Sequence, residues 1–188
     1  MIRHIEDFGK YLIITGFKNV KIGDAEEFLK IINKEKPSGV DIQFFEAKLI
    51  ATWQHLYFAT INALTAFKNK ENISKSLSME TLLFASAQRQ IRKATEIMGI
   101  KPETSEMAVL IIGEKSNLVE SALQMVLRHI NAERDESVLD LSRRKNELIK
   151  KVFEISELEL KTVMEKDGLE DALTRLVIER MALLATQR

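Results

Sequence analysis

The chain has 188 residues, of which 45% are hydrophobic and 30% are charged, the profile of a globular protein about one domain in size. The 28 Lys and Arg residues balance the 28 Asp and Glu residues, so the overall charge indicates neither nucleic acid nor a membrane as partner. The absence of cysteine excludes disulfides, thiolate metal sites and a cysteine nucleophile. No apolar run approaches the ~18 residues of a membrane span, and no signal-peptide core is present. We therefore expect no membrane contact and a cytoplasmic location.

Residues 1–131 alternate between strand patterns and helix patterns. The predicted strands share β-branched, aromatic or continuous apolar runs and cover 11–17, 40–47 and 107–113. The predicted helices share a helical spacing of apolar residues and cover 24–35, 52–68 and 116–131. This alternation predicts an α/β (α+β) fold, in which a small mixed β-sheet of three to four strands packs with about seven helices.

Residues 132–188 read as a helical C-terminal extension of the same single domain, which would span 1–188. Helices are predicted at 142–153, from a Ser156-x-x-Glu159 capping box, and at 169–186. The last helix is apolar on more than one side, whereas a surface helix needs one apolar stripe of ~100°. One of its faces is therefore a candidate for contact with a partner.

The stretch at 73–100 lies between the strand patterns at 40–47 and 107–113 and shows a helical spacing of apolar residues. Its apolar positions recur at steps of three and four, at Leu83, Ala87, Ile91, Ala94 and Met98. This spacing predicts one helix with Ser78 as its N-cap and an end at Gly99. Gln88, Arg89 and Gln90, with Arg92 and Lys93, would then stand on the face opposite the apolar stripe.

The sequence lacks the usual signs of catalysis and metal binding. Its three histidines, His4, His55 and His129, show no His-x-x-x-His or His-Glu pairing at metal spacing. No Gly-x-Ser-x-Gly elbow and no glycine-rich phosphate loop is present. We expect no enzyme activity, no catalytic residue, no metal and no cofactor. The alternative is a small-molecule enzyme that uses His55 and nearby carboxylates, for which a deep, polar pocket around His55 would be evidence.

The polar face around Gln88 has two interpretations. Guanidinium and ammonium groups suit phosphates, Gln amides pair with base edges, and Arg stacks on unpaired bases. On composition alone the simpler interpretation is a solvated helix face, in which Arg92 and Lys93 pair with Glu96.

The run SMETLLFASAQRQIRKATEIMGI resembles the signature segment of the small kinase-binding subunit of the KEOPS complex, the family of the PRPK-binding protein of animals. The likeness continues through VDIQFFEAKLIATWQHLYFATINALTAF, MAVLIIG and DESVLDL, and covers residues 11–188. Members of that family often carry glycine just before Gln-Arg-Gln, where this chain has Ala87.

The resemblance implies a non-catalytic accessory subunit in the threonylcarbamoyl-adenosine modification of tRNA. Such a subunit holds the single-stranded 3′ CCA end of tRNA and binds a kinase-like ATPase subunit. It would meet the catalytic metalloenzyme subunit only indirectly, and it would have no small-molecule substrate. The resemblance implies an RNA surface near Gln88, Arg89 and Gln90, and the cations Arg92, Lys93 and Lys75 would extend it. His55 occupies a matching position of the family, and it either lines the same surface or is a half-buried histidine bonded to a backbone carbonyl.

The resemblance also implies the partner of the last helix, namely the kinase-like ATPase. We assign Ile178, Met181 and Ala185 to that contact, with Leu173, Val177 and Leu184 facing inward, although the two faces can be exchanged. Burial of such side chains is worth ~1.5–3 kcal/mol each, so three can anchor an interface. The competing hypothesis is a protein-only regulator of a kinase, with no direct RNA contact.

Overall fold

The computed structural model describes residues 2–164 and 168–186, with side chains described as far as Leu184. The chain divides into two compact units, each formed by two separate stretches of sequence. Unit 1 joins Met1–Ala47 to Gly99–Val138, and unit 2 joins Lys48–Met98 to Leu139–Arg188. The expectation of one domain, with an α/β core at 1–131 and a helical extension at 132–188, stays a prediction.

Within the described residues the structure has five strands and eight α-helices. The strands are β1 Ile2–Ile5, β2 Lys10–Lys18, β3 Val40–Glu46, β4 Glu106–Gly113 and β5 Glu133–Arg134. The helices are α1 Ala25–Glu35, α2 Trp53–Lys68, α3 Leu77–Ala85, α4 Ile91–Met98, α5 Ser116–His129, α6 Arg143–Val152, α7 Glu157–Met164 and α8 Leu169–Thr186. None of these helices is long and apolar enough to cross a membrane.

Unit 1 is an antiparallel sheet packed with α1 and α5. The strand order is β1-β2-β4-β3, and β5 also pairs with β2. Every residue of β4 from Met107 to Gly113 is buried, as the continuous apolar run predicts. The registers Ile13↔Ile111 in β2–β4 and Phe44↔Val109 in β3–β4 align the core side chains of neighbouring strands. The α+β class is confirmed, although the described strands all pair antiparallel rather than in mixed directions.

The carboxylate of Glu136 helps to fix the segment after β5 to β2, beside a backbone bond from the Asp135 N–H to the Gly16 carbonyl at 2.9 Å. Glu136 accepts hydrogen bonds from the Thr15 hydroxyl at 2.7 Å and from the Gly16 N–H at 3.2 Å. A Cβ atom at Gly16 would lie 2.3 Å from Cγ2 of Val138 and 2.5 Å from the carbonyl oxygen of Asp135. Position 16 therefore has no room for a side chain, because a backbone group of unit 1 passes directly over it.

The regular secondary structure of unit 2 is all helical within the described residues. The last helix, α8, packs against α2, α3 and α7. Its core is a cluster of apolar side chains from α6, α7 and α8, which includes Ile149, Leu160, Leu173 and Val177. The predicted capping box of α7 is confirmed, since the Ser156 N–H donates to Glu159 at 2.8 Å and the Glu159 N–H donates to Ser156 Oγ at 3.2 Å.

The single helix predicted between Ser78 and Gly99 is wrong, because the chain forms α3 and α4 with a turn between them. Ala87 has a φ of 50°, in the left-handed region. The Gln88 N–H donates to the Leu83 carbonyl at 3.0 Å, and the Ala87 N–H donates to the Phe84 carbonyl at 2.9 Å. This pair of bonds is the Schellman motif, which ends a helix. The N-cap is also corrected, because Ser76 rather than Ser78 accepts the Met79 N–H.

Candidate functional site

The predicted RNA-binding residues after Ala87 form one continuous segment, residues 88–93. Gln88 is half-buried, whereas Arg89, Gln90, Arg92 and Lys93 are exposed. The Arg92 side chain is 90% exposed and pairs with Glu96 at 2.8 Å. An exposed pair of this kind contributes little to stability, so Arg92 can exchange Glu96 for a phosphate at low cost.

Lys75 lies at the other end of α3 from the 88–93 segment. It is exposed on the turn before the helix. The buried carboxylate of Glu80 orders this turn by accepting the Ile73 N–H at 3.0 Å and the Ser74 N–H at 2.7 Å. The nine residues of α3 span about 13 Å, so the structure does not bring Lys75 next to Arg89 through this helix.

His55 lies beneath the surface rather than on it, so the expectation that it lines the RNA surface is corrected. The side chain is fully buried. Its Nε2 lies 2.8 Å from the carbonyl oxygen of Ala85, and its Nδ1 accepts the Ala51 N–H at 3.3 Å. Burial, together with the charge of Lys145, lowers the pKa of His55 to about 4. A neutral, buried ring with two backbone partners is a structural histidine, and it does not face the deep, polar pocket that the small-molecule enzyme alternative requires.

A cavity of about 220 Å³ adjoins the start of the 88–93 segment. We call it the α3–α6 cavity, because the C-terminal ends of those two helices form two of its walls. The third wall comes from α8. Its lining residues are Ser86, Ala87, Gln88, Val152, Phe153, Glu154, Arg180, Leu183 and Leu184. The lining thus combines apolar side chains with one amide, one guanidinium, one carboxylate and one hydroxyl.

Arg180 ties the end of α6 to α7 at this cavity. Its Nε donates to the Phe153 carbonyl at 3.2 Å, and its Nη2 donates to the Glu154 carbonyl at 3.4 Å and to the Glu159 carboxylate. The bond from Arg180, followed by those from Ser156, lowers the pKa of Glu159 to about 2. At neutral pH the charge of Arg180 is therefore matched by an ionised partner.

The stretch that carries the 88–93 segment is basic, although the whole chain is neutral. Between residues 48 and 98 there are seven Lys or Arg residues and three Asp or Glu residues. One of those three, Glu80, is buried against backbone N–H groups. The remaining excess of positive charge includes the exposed Arg89, Arg92 and Lys93 of the 88–93 segment, and a local excess of this kind is what an RNA partner of a neutral protein would need.

The kinase-binding face proposed for α8 is partly corrected. Met181 has an exposure of 0% and faces inward, like Leu173, Val177 and Leu184. Ile178 is half-buried and still reaches the surface. The side chain of Ala185 lies outside the described residues. The exposed large apolar residues of α8 that sequence reasoning missed are Leu169, at 40%, and Leu183, at 42%.

Arg180 and Glu154 are the charged residues of this site that the sequence analysis did not select. Arg180 had one usable signal, since it and Glu179 are the only polar residues in the run LVIERMALLA. A charged residue within an apolar helix usually has a specific partner. Glu154 carried no signal, because its position depends on where α6 ends.

Comparison with known proteins places the chain in a family. The family described as Kinase binding protein CGI-121 matches residues 17–185. The chain is also 32% identical over 144 residues to the Regulatory protein Cgi121 of Methanocaldococcus jannaschii, in an alignment that covers 77% of this chain and 85% of that protein. On both grounds, this chain belongs to the CGI-121 family of kinase-binding proteins.

Proposed function

We propose that this protein is a non-catalytic accessory subunit of the KEOPS complex, which binds the kinase-like ATPase subunit and recruits tRNA through its 3′ CCA tail. The observation that carries the RNA part is the exposed 88–93 segment, which begins at a fixed left-handed turn beside the α3–α6 cavity. Amides and cations at such a turn suit a single-stranded end, whose bases and phosphates are both accessible.

The turn at Ala87 supports this proposal because hydrogen bonds within the protein itself hold its backbone. Its two Schellman bonds fix the backbone, and the buried His55 ring bonds to the carbonyl of Ala85, the last residue of α3. A loop that is already in one conformation loses little entropy on binding. A short segment of this kind can therefore bind a tail of three nucleotides although it makes few contacts.

Membership of the CGI-121 family supports the kinase partner. On α8, Leu169 and Leu183 are the exposed large apolar side chains of the described residues, and the fourteen positions between them place both on one side of the helix. We place the ATPase contact on this side of the helix. A subunit that grips a tRNA tail and is itself attached to the ATPase raises the local concentration of tRNA at the complex, with no catalytic group of its own.

Charge reversal on the 88–93 segment tests the RNA part. The variant Arg89→Glu/Lys93→Glu should weaken binding of CCA-ended tRNA by roughly tenfold or more, since each lost phosphate contact lowers affinity and reduces the salt dependence. The matched control is Lys30→Glu/Lys34→Glu, which makes the same charge change on two exposed residues of α1. Equal affinity for the two variants, with both folded, would favour the protein-only regulator.

A further inference from the structure

Helix α6 carries a strongly basic surface that is separate from the 88–93 segment. Five of its ten residues are Lys or Arg, and one is Glu. Two of the five already have partners in the protein, since the buried Lys145 donates to two backbone carbonyls and Lys150 pairs with Glu147 and Glu157. The other three are exposed and have no hydrogen-bond or ion-pair partner within the described residues, and we call them the α6 cations: Arg143, Arg144 and Lys151.

The stability of α6 does not account for two of these cations. Arg143 and Arg144 stand in the first turn, directly after the N-cap Ser142, and this turn has no acidic residue. The positive end of the helix dipole lies there, so acidic residues stabilise such a turn and cations do not. Arg144 also lies on the same side of α6 as Lys151, because seven positions are close to two full turns. A partner with negative charge explains this arrangement, whereas helix stability does not.

The α6 cations begin beside the proposed RNA-binding segment, within the same unit. Val152 follows Lys151 in the chain, and it lines the α3–α6 cavity together with Gln88. Glu154 is the exposed carboxylate at the cavity itself, so the attractive charge starts at Lys151. From there to Arg144 is ~10 Å along the helix axis. The basic surface therefore leads away from the cavity along α6.

The length of this surface fits paired RNA that precedes a bound tail. Three stacked nucleotides cover ~10 Å at ~3.4 Å per nucleotide, so the paired part of the strand begins about that far from the segment that holds the tail. Exposed Lys and Arg side chains contact phosphates without reading the base sequence. An RNA duplex is recognised mainly by its shape and its backbone, which is the kind of contact that three unpartnered cations on a helix can make.

We propose that Arg143, Arg144 and Lys151 form a second RNA surface, which contacts the phosphates of the paired stem next to the single-stranded tail. The tail contact selects the end of the RNA, and the α6 cations add affinity for any stem sequence. This inference rests on the proposed function, because it takes the tail to be bound at the 88–93 segment.

The test compares an intact tRNA, the same tRNA trimmed of its CCA end, and a single-stranded oligonucleotide that ends in the same CCA. The variant Arg143→Glu/Arg144→Glu should bind intact tRNA roughly tenfold more weakly and lower the slope of log affinity against log salt by about 2. It should bind the oligonucleotide like the wild type, because the oligonucleotide has no stem. The matched control, Lys30→Glu/Lys34→Glu on α1, should change neither affinity.

Two further measurements exclude a trivial loss of folding. Acidic residues in the first turn of α6 suit the helix dipole, so the thermal midpoint of Arg143→Glu/Arg144→Glu should equal or exceed that of the wild type. Lys151→Glu removes one cation at the other end of the surface and should weaken binding of intact tRNA by roughly threefold, again without affecting the oligonucleotide.

The outcomes separate this inference from the proposed function. Unchanged tRNA affinity in Arg143→Glu/Arg144→Glu, or an equal loss for tRNA and oligonucleotide, would overturn the stem contact at α6 and leave the tail contact standing. Unchanged tRNA affinity together with lost binding of the ATPase would identify an acidic protein surface as the partner of α6, which also overturns the inference. Equal binding of intact and trimmed tRNA by the wild-type protein would instead overturn the proposed function.

Discussion

The imidazole Nε2 of His55 lies 2.8 Å from the carbonyl oxygen of Ala85, the last residue of α3. Because Nδ1 accepts the Ala51 N–H, the proton of the neutral ring is on Nε2, and the ring donates to Ala85. One side chain of α2 thus satisfies a carbonyl that the end of α3 would leave unpaired. The turn that begins the 88–93 segment rests on this bond.

The first prediction concerns pH. The pKa of His55 is lowered to about 4, first by burial, while an unfolded histidine titrates near ~6.5. The unfolded state therefore binds more protons between these values, and the stability contributed by the neutral ring is complete above pH 6.5 and lost as pH falls towards 4. Urea unfolding should show a loss of about 2 kcal/mol between pH 7.5 and pH 5 from this group.

The control for the pH effect is His55→Gln, which keeps an N–H near Ala85 and removes the titration. This variant should be less stable at pH 7.5, because the Ala51 N–H loses its acceptor. Its stability should change less between pH 7.5 and pH 5 than that of the wild type. Parallel curves for the two proteins would show that His55 does not titrate as the buried geometry requires.

The second prediction concerns Ala87. An L-residue in the left-handed region is strained by ~1–2 kcal/mol, and glycine relieves that strain at some cost in the entropy of the unfolded chain. Ala87→Gly should therefore stabilise the protein by about 0.5–1 kcal/mol. Ala94→Gly, inside α4, should destabilise it by about 1 kcal/mol or more. If thermal unfolding showed a loss for both variants, the turn at Ala87 would be in doubt.

The third prediction separates the two sides of α8. Met181→Asp places a charge at a fully buried position and should unfold the protein or cost several kcal/mol. Leu183→Asp changes a side chain that is 42% exposed, so it should leave the fold intact and weaken binding of the kinase-like ATPase. Circular dichroism and a pull-down with the ATPase provide the two readouts. A folded Leu183→Asp variant with undiminished ATPase binding would place the contact on another surface.

The fourth prediction concerns Gly16. A methyl group there would overlap the Asp135 carbonyl and the Val138 side chain, so Gly16→Ala should cost ~1–3 kcal/mol through overpacking. Gly23→Ala is the matched control, since a Cβ at position 23 meets nothing within 4 Å, and it should be close to neutral. Chemical denaturation of the two variants measures the difference. Equal stability would mean that the segment after β5 moves away from β2 without cost.

Strands β2, β3 and β4 and most helices could be predicted from the sequence because local periodicity determines them, whereas the short strands β1 and β5 were missed. The break at Ala87 could not, since apolar steps of three and four continue from α3 into α4, and alanine has the highest helix propensity of all residues. The side of α8 that faces inward could not be determined either, because Ile178 and Met181 are both apolar. The burial of His55 depends on Ala51 and Ala85, and only the folded chain places Ala85 against its ring.

The most direct test of the central claim is the affinity of the unmodified protein for one tRNA with and without its 3′ CCA end, measured at a fixed salt concentration. We predict that removal of the three nucleotides lowers the affinity by roughly tenfold or more, because the 88–93 segment then loses its base contacts and its nearest phosphates. Equal affinity for the intact and the trimmed tRNA would contradict the claim that this protein recruits tRNA by its tail.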